Sequence, residues 1–372
     1  MSKVRFGDVV HEIKQSVNRN NNPYDYYVAG DHMDTADLTI HRKGSFATDE
    51  VGPAFVREFK KGQVLYGSRR TYLKKVAVAD FDGITANTTF VLETKNNNVF
   101  LQSLLPFVML TDDFTDWSIK HSKGSTNPYV LFSDLADYEF ELPDIKKQKE
   151  LSDILWASFR LKESYRELIK QSDELIKSQF VEMFSGENYP LVSIKEVLNQ
   201  HTVVERITNT LVEKYVTVAL YGKGVRERSI EKYDPKPFSA YRVKAGQFIY
   251  SRIDARNGAF GIIPKELDGA VVSKDFPVFD IDLNRITPEY LIYCVLDNGF
   301  IQQIKINSIG TTNRQRVNEE ALLSYKIKLP TVDEQNRFIG FVHQTDKSKL
   351  ELNKAINDID ELMKSIMQAD YK

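Results

Sequence analysis

The chain has 372 residues, more than a single ordinary core serves, so two or more domains are expected. Its composition is that of a globular protein, and the opening MSKVRFGDVV lacks the apolar run that a signal peptide or membrane span needs. One cysteine, Cys294, excludes an internal disulfide framework and fits a reducing cytoplasm, and six scattered histidines lack the spacing of a zinc site.

From the start of the chain, VRFGDVV (4–10) and Tyr27-Val28 are the first elements of a series that recurs later. KKGQVLYGSRR (60–70) adds another and opens a cationic stretch: Lys60, Lys61, Arg69, Arg70, Lys74 and Lys75, with no acid between the first and the last. KVAVADF (75–81) and TTFVLET (88–94) continue the β-rich pattern, punctuated by Gly, Asn and Pro turns. A loop with Lys120, His121, Lys123, Gly124 and Asn127 follows, then Leu142-Pro143. Residues 145–184 contain no proline and read as one helix, with Asp144 as its cap and Gly186 placed to end it.

The same series then recurs. VSIKEVL (192–198) and Tyr215-Val216 repeat the first elements at an offset of 188, and KAGQFIYSRID (244–254) repeats KKGQVLYGSRR at 184. GAVVS (269–273) matches GITAN (83–87), and Gly310 to Asn313 matches Gly124 to Asn127. Leu329-Pro330 with Gln335 matches Leu142-Pro143 with Gln148. An ordered series at offsets between 184 and 188 indicates duplication, and a period this long gives two domain-sized copies, not a solenoid. The second copy has its own cations, Lys223, Arg226, Arg228, Lys232 and Lys236, diluted by Glu227, Glu231 and Asp234. It ends on a second proline-free helix, where Thr331 and Glu334 form a capping box.

In the first helix Ile154, Leu161, Leu168 and Leu175 recur every seven residues; in the second Leu352, Ile359 and Ile366 do, with Ala355, Leu362 and Ala369 three positions on. These predict coiled-coil seams. A forty-residue helix spans roughly 60 Å, longer than a small domain needs, and two of matched length invite antiparallel pairing. Two separate amphipathic helices, each covering its own domain, are the alternative.

The helix openings LPDIKKQKEL and LPTVDEQNRF, and the lead-in GTTNRQRVNEEALLSYKIKLP (310–330), resemble those of the specificity subunits of type I restriction-modification systems. The resemblance covers both copies. It implies an α+β fold of two pseudo-symmetric target recognition domains (1–144 and 187–330) separated by two long antiparallel coiled-coil spacer helices (145–186 and 331–372). It implies a non-catalytic chain that reads a bipartite, asymmetric site in double-stranded DNA. Two modification subunits and the motor-nuclease restriction subunits would dock on it. S-adenosylmethionine, ATP and Mg would act in those partners, leaving this chain without a cofactor or metal.

DNA reading needs bidentate donors for base edges and cations for phosphates. The candidates in the first copy are Arg69, Arg70, Tyr72, Lys74 and Lys75, just after a strand, and Lys120, His121, Lys123 and Asn127 in the glycine loop. In the second copy they are Arg252, Arg256 and Asn257 at the matched point, Asn313, Arg314 and Arg316 in the matched loop, and Lys223, Arg226 and Arg228. Solubilising charge and plain turns account for the same residues otherwise.

A stand-alone adenine methyltransferase is the rival reading. Asn22-Pro23-Tyr24 and Asn127-Pro128-Tyr129 have one proline where its motif has two, and no glycine-rich cofactor loop opens a strand-helix unit. Asp144-Ile145-Lys146 has nuclease-like spacing but no acidic partner upstream, and Gly222-Lys223 runs into Gly224 where a phosphate loop needs Ser or Thr. A protein-only coiled-coil adaptor is the third class.

Overall fold

A computed structural model gives the fold over residues 2–18, 21–186, 188–229, 236–307 and 316–370. Two compact units emerge, one of residues 1–168 with 351–372 and the other of residues 169–350. No helix among the described residues is long and apolar enough to cross a membrane.

In the first unit Ser2–Arg5 pairs antiparallel with Glu139–Leu142, bringing the start of the domain to the foot of its helix. An antiparallel sheet runs in the order Val10–Glu12, Thr89–Thr94, Val64–Gly67, Val76–Val78. Val64–Gly67 lies inside that sheet and is buried at every position, which is why its sequence is apolar without alternation. A second sheet orders Gly44–Ser45, Tyr26–Val28, Gly83–Ala86 and Phe55–Phe59, with Tyr27 and Ile84 in parallel register.

The second unit repeats this plan. Leu191–Ser193 pairs with Lys326–Lys328, and a four-stranded sheet orders Leu198–Gln200, Val278–Ile281, Phe248–Tyr250 and Phe260–Ile262. Glu205–Ile207, Phe238–Arg242 and Val271–Ser273 form the other sheet, and Tyr215 bridges Val271 in parallel as Tyr27 does Ile84.

The duplication extends to single hydrogen bonds. Buried Gln63 accepts from the Lys60 amide at 2.7 Å and donates to Glu93; buried Gln247 accepts from the Lys244 amide at 2.7 Å and donates to Asp280. Each glutamine ties the turn before a central strand to a neighbouring strand. Five residues beyond each Leu-Pro, Gln148 accepts from the Leu101 amide and donates to the Val99 and Pro143 carbonyls. Gln335 accepts from the Thr287 amide and donates to Arg285 and Pro330. A fully bonded buried amide fixes where each long helix leaves its domain.

Those helices are Ile145–Phe184 and Val332–Asp370. Asp144 caps the first through the Lys147 amide at 2.9 Å. Thr331 and Glu334 make the expected reciprocal box on the second. The first helix stops at Phe184, before Gly186, which is not among the glycines with positive φ.

Each unit uses a stretch of both helices. In the first unit Leu151, Leu155 and Phe159 join Met367 and the domain side chains Phe6, Phe107 and Phe140 in one core. In the second, Ile176 and Phe184 join Phe338, Ile339 and Val342 around Phe248 and Tyr290. Residues 145–168 thus lie beside 351–370 in one unit, and 169–184 beside 332–350 in the other, an antiparallel arrangement. The division between the two units therefore falls within both helices.

The seam in the first helix is not the expected one. Ile154, Leu161, Leu168 and Leu175 are 44–52% exposed. The inward series lies one residue further on: Leu155, Lys162 and Ile176 are buried and Ile169 half-buried. One residue is 100° of rotation on a helix, enough to exchange an inner face for an outer one. On the second helix Leu352, Ile359 and Ile366 are half-buried, and their companions are Ile356 and Met363; Leu362 is exposed.

Candidate nucleic-acid interface

The first unit brings the two candidate loops of its domain together. Residues Thr71–Leu73 make a single 3-10 turn flanked by Arg70 and Lys74, both in the left-handed region at φ 50° and 46°. The Arg70 amide donates to the Pro128 carbonyl at 2.7 Å, and Arg69 bridges Tyr129 through the backbone. Tyr129 bridges Lys123 in turn, so the 120–129 hairpin and the 69–74 turn form one surface. Arg69, Arg70, Tyr72, Lys120, Lys123, Asn127 and Tyr129 are exposed on it, with His121 half-buried and stacked on Trp117. Left-handed backbone at non-glycine residues is costly and collects at functional turns.

The cations there are not equivalent. Arg69, Arg70 and Lys120 have no ion-pair partner among the described residues. Lys74 is held by Asp112 at 2.8 Å, and Lys364 donates to the same carboxylate at 2.7 Å. The two ammonium groups, Lys364 foremost, hold the Asp112 carboxyl below its ordinary pKa. Lys123 pairs with Asp134 at 2.9 Å, and Lys75 donates to the Gly30 carbonyl. Lys74, Lys75 and Lys123 are thus partly committed to the fold, and the freely presented groups are the arginines and Lys120.

In the second unit the matched turn is Ala255–Asn257, which ends on Gly258 at φ 72°. The Tyr221 and Gly222 amides donate to the Asn257 and Gly258 carbonyls at 2.8 and 2.9 Å, joining the Lys223 turn to the Arg256–Asn257 turn. Lys223 and Arg226 are exposed with no ion-pair partner among the described residues; Arg228 is exposed, and Arg256 and Asn257 are half-buried.

Arg252, a candidate base reader, is engaged within the chain. Its guanidinium bonds Glu319, with side-chain exposures of only 23% and 17%. Burial opposes its charge, but the bond and the charge of Glu319 outweigh that and raise its pKa. Arg316 reaches Asp275 at 3.3 Å. Asn313 and Arg314 lie outside the described residues.

Sequence reasoning did not single out Tyr221, which is 74% exposed at φ 59°. The available signal was its place before Gly222 and Gly224, a pair that marks a left-handed turn. Asp37, His41 and Glu163 are the one group of possible metal ligands found among the described residues. The Arg166 guanidinium already lies on them, 3.0 Å from Asp37 and 2.6 Å from Glu163, so the cluster is an ion-pair network.

The sequence profile described as "Type I restriction modification DNA specificity domain" matches residues 2–172 and again 167–361. A stretch of 94 residues is 32% identical to the EcoDI specificity subunit of Escherichia coli, and one of 131 residues is 26% identical to the HindI specificity subunit of Haemophilus influenzae. Those stretches are 25% and 35% of this chain and span only 20% and 28% of the two relatives. The fold is similar to a chain solved in work on assembly and conformational transition of a type I R-M system, with TM-score 0.60 at 16% identity over 99% of this chain and 96% of that one. It is also similar to the type I restriction-modification S subunit of M. genitalium, with TM-score 0.54 at 11% identity over 100% and 96%. With its two profile matches in tandem, one on each copy of the duplication, the chain belongs to the type I restriction-modification DNA specificity family.

Proposed function

We propose that this chain is the DNA-reading subunit of a type I restriction-modification complex acting in the cytoplasm. Residues 1–144 and 187–330 each read one half of a bipartite, asymmetric site, and the spacer helices set the separation. The observation that carries this reading is one scaffold used twice with different chemistry at its reading turn. The turn after the central strand carries Arg69, Arg70 and Tyr72 in one copy and Arg256 and Asn257 in the other. Phosphate neutralisation would come from the exposed cations, base discrimination from arginine forks and amides.

The outer face of the first helix serves docking. Ile154 and Leu161, 49% and 44% exposed, present branched apolar side chains at coiled-coil spacing, as a partner helix from a modification subunit requires. In this reading the methyl-transfer and ATP chemistry, with its S-adenosylmethionine and Mg, lies in the modification and restriction subunits. This chain supplies position and sequence choice.

Methylation mapping in cells given this chain with its cognate modification subunits tests the proposal. The expected result is an interrupted, asymmetric motif methylated only when the chain is present. Methylation of an uninterrupted motif, or none together with salt-insensitive binding to DNA, would refute it.

A further inference from the structure

Each recognition domain also holds out a tyrosine from a turn with left-handed backbone. Tyr72 is 52% exposed at the middle of a 3-10 turn whose two flanking residues, Arg70 and Lys74, are both left-handed. The turn is pinned: Thr71 is buried, Arg70 donates its amide to Pro128, and Lys74 accepts at its carbonyl from Ala36 at 3.0 Å. In the other unit Tyr221 is 74% exposed and itself left-handed, and its amide bonds Asn257 at 2.8 Å. Neither ring contacts another ring or a cation among the described residues. Both stand beside cations without acid partners, Arg69 and Arg70 in one unit, Lys223 and Arg226 in the other.

A large ring left in water on a strained, well-held backbone gains nothing inside the chain. Flanked by unpaired cations, it gains on DNA: the cations hold phosphates and the ring covers a base face or wedges into a step. We propose that Tyr72 and Tyr221 are the ring contacts of the two half-sites, each stacking on a base step that it partly opens. The proposal rests on the DNA-reading function above. It assigns each half-site a component of specificity from the ease of opening that step, in addition to hydrogen bonding.

The full chain assembled with its modification subunits is bound to a duplex carrying its mapped motif. 2-Aminopurine is placed at steps of either half-site away from the methylated adenines. Fluorescence should rise in both half-sites on binding. Tyr72→Ala should abolish the rise in one half-site and weaken binding about 5- to 150-fold, and Tyr221→Ala should do the same in the other. Tyr72→Phe and Tyr221→Phe should behave as the native chain. Alanine variants that bind and respond like the native complex overturn the inference and leave the DNA reading standing. Phenylalanine variants as impaired as alanine also overturn it, by assigning the contact to the hydroxyl. A native complex that binds motif and mixed-sequence DNA alike removes the reading itself.

Discussion

Lys162 donates to Asp360 at 2.7 Å, and Lys349, 187 residues further along, donates to Asp173 at the same distance. The acids are also 187 residues apart, so the two ion pairs are counterparts across the duplication, one in each unit. Both lysines occupy inward helix positions where a coiled coil takes leucine, and the Lys162 side chain is only 6% exposed. A buried ion pair stabilises little in itself but penalises every register that separates it. Asp360→Ala leaves a buried ammonium without its partner and should cost about 1–3 kcal/mol, the lower part of the range because Asp360 itself is half in water. Lys162→Leu should be neutral or stabilising within about 1 kcal/mol. Urea unfolding of the two variants measures both; a Lys162→Leu variant as weak as Asp360→Ala would show that the pair is a net source of stability.

Gln148 and Gln335 are expected to be costly to change. Truncating either to alanine removes three hydrogen bonds and strands an amide and two carbonyls in the interior. At about 1–3 kcal/mol per stranded group, partly relieved by water, each variant should lose about 3 kcal/mol. Equal losses from the two variants in denaturant titrations would support equivalent roles; a loss under 1 kcal/mol from either would not.

The two faces of the first long helix separate stability from docking. Leu155→Ala removes a fully buried side chain and should cost about 2–5 kcal/mol. Leu161→Asp changes an exposed position and should leave the melting temperature within about 2 °C while abolishing co-elution with modification subunits. Co-elution surviving Leu161→Asp would place the docking surface elsewhere.

Cys294, the only cysteine in the chain, reports on the second unit. Burial pushes its thiol from an ordinary 9.0 up to about 12. The unfolded chain therefore releases this proton first, and stability is undiminished below about pH 9 and falls as pH rises from 9 towards 12. At pH 8 a thiol reagent should react only through opening of the unit, at a rate that urea accelerates. Immediate stoichiometric labelling of the folded protein would contradict this burial.

The duplication was legible because it is written in residues with fixed jobs: Gln63 and Gln247, Tyr66 and Tyr250, Gln148 and Gln335 are all buried in matched places. The helices were legible from their lack of proline and their caps. The seam was not, because Ile154-Leu155, Leu168-Ile169 and Leu175-Ile176 offer apolar residues to two registers, and Lys162 interrupts the true one. Nor could the sequence show that Glu319, distant along the chain, holds Arg252, or that Asp112 holds Lys74. Such pairings are made by tertiary contact and leave no local pattern.

The proposed function requires the two copies to read independently. Its most direct measurement exchanges residues 187–330 for the matching domain of another family member and maps the methylated motif by sequencing. The expected motif has one half-site replaced and the other, together with the spacing between them, unchanged. A change in both half-sites would contradict it.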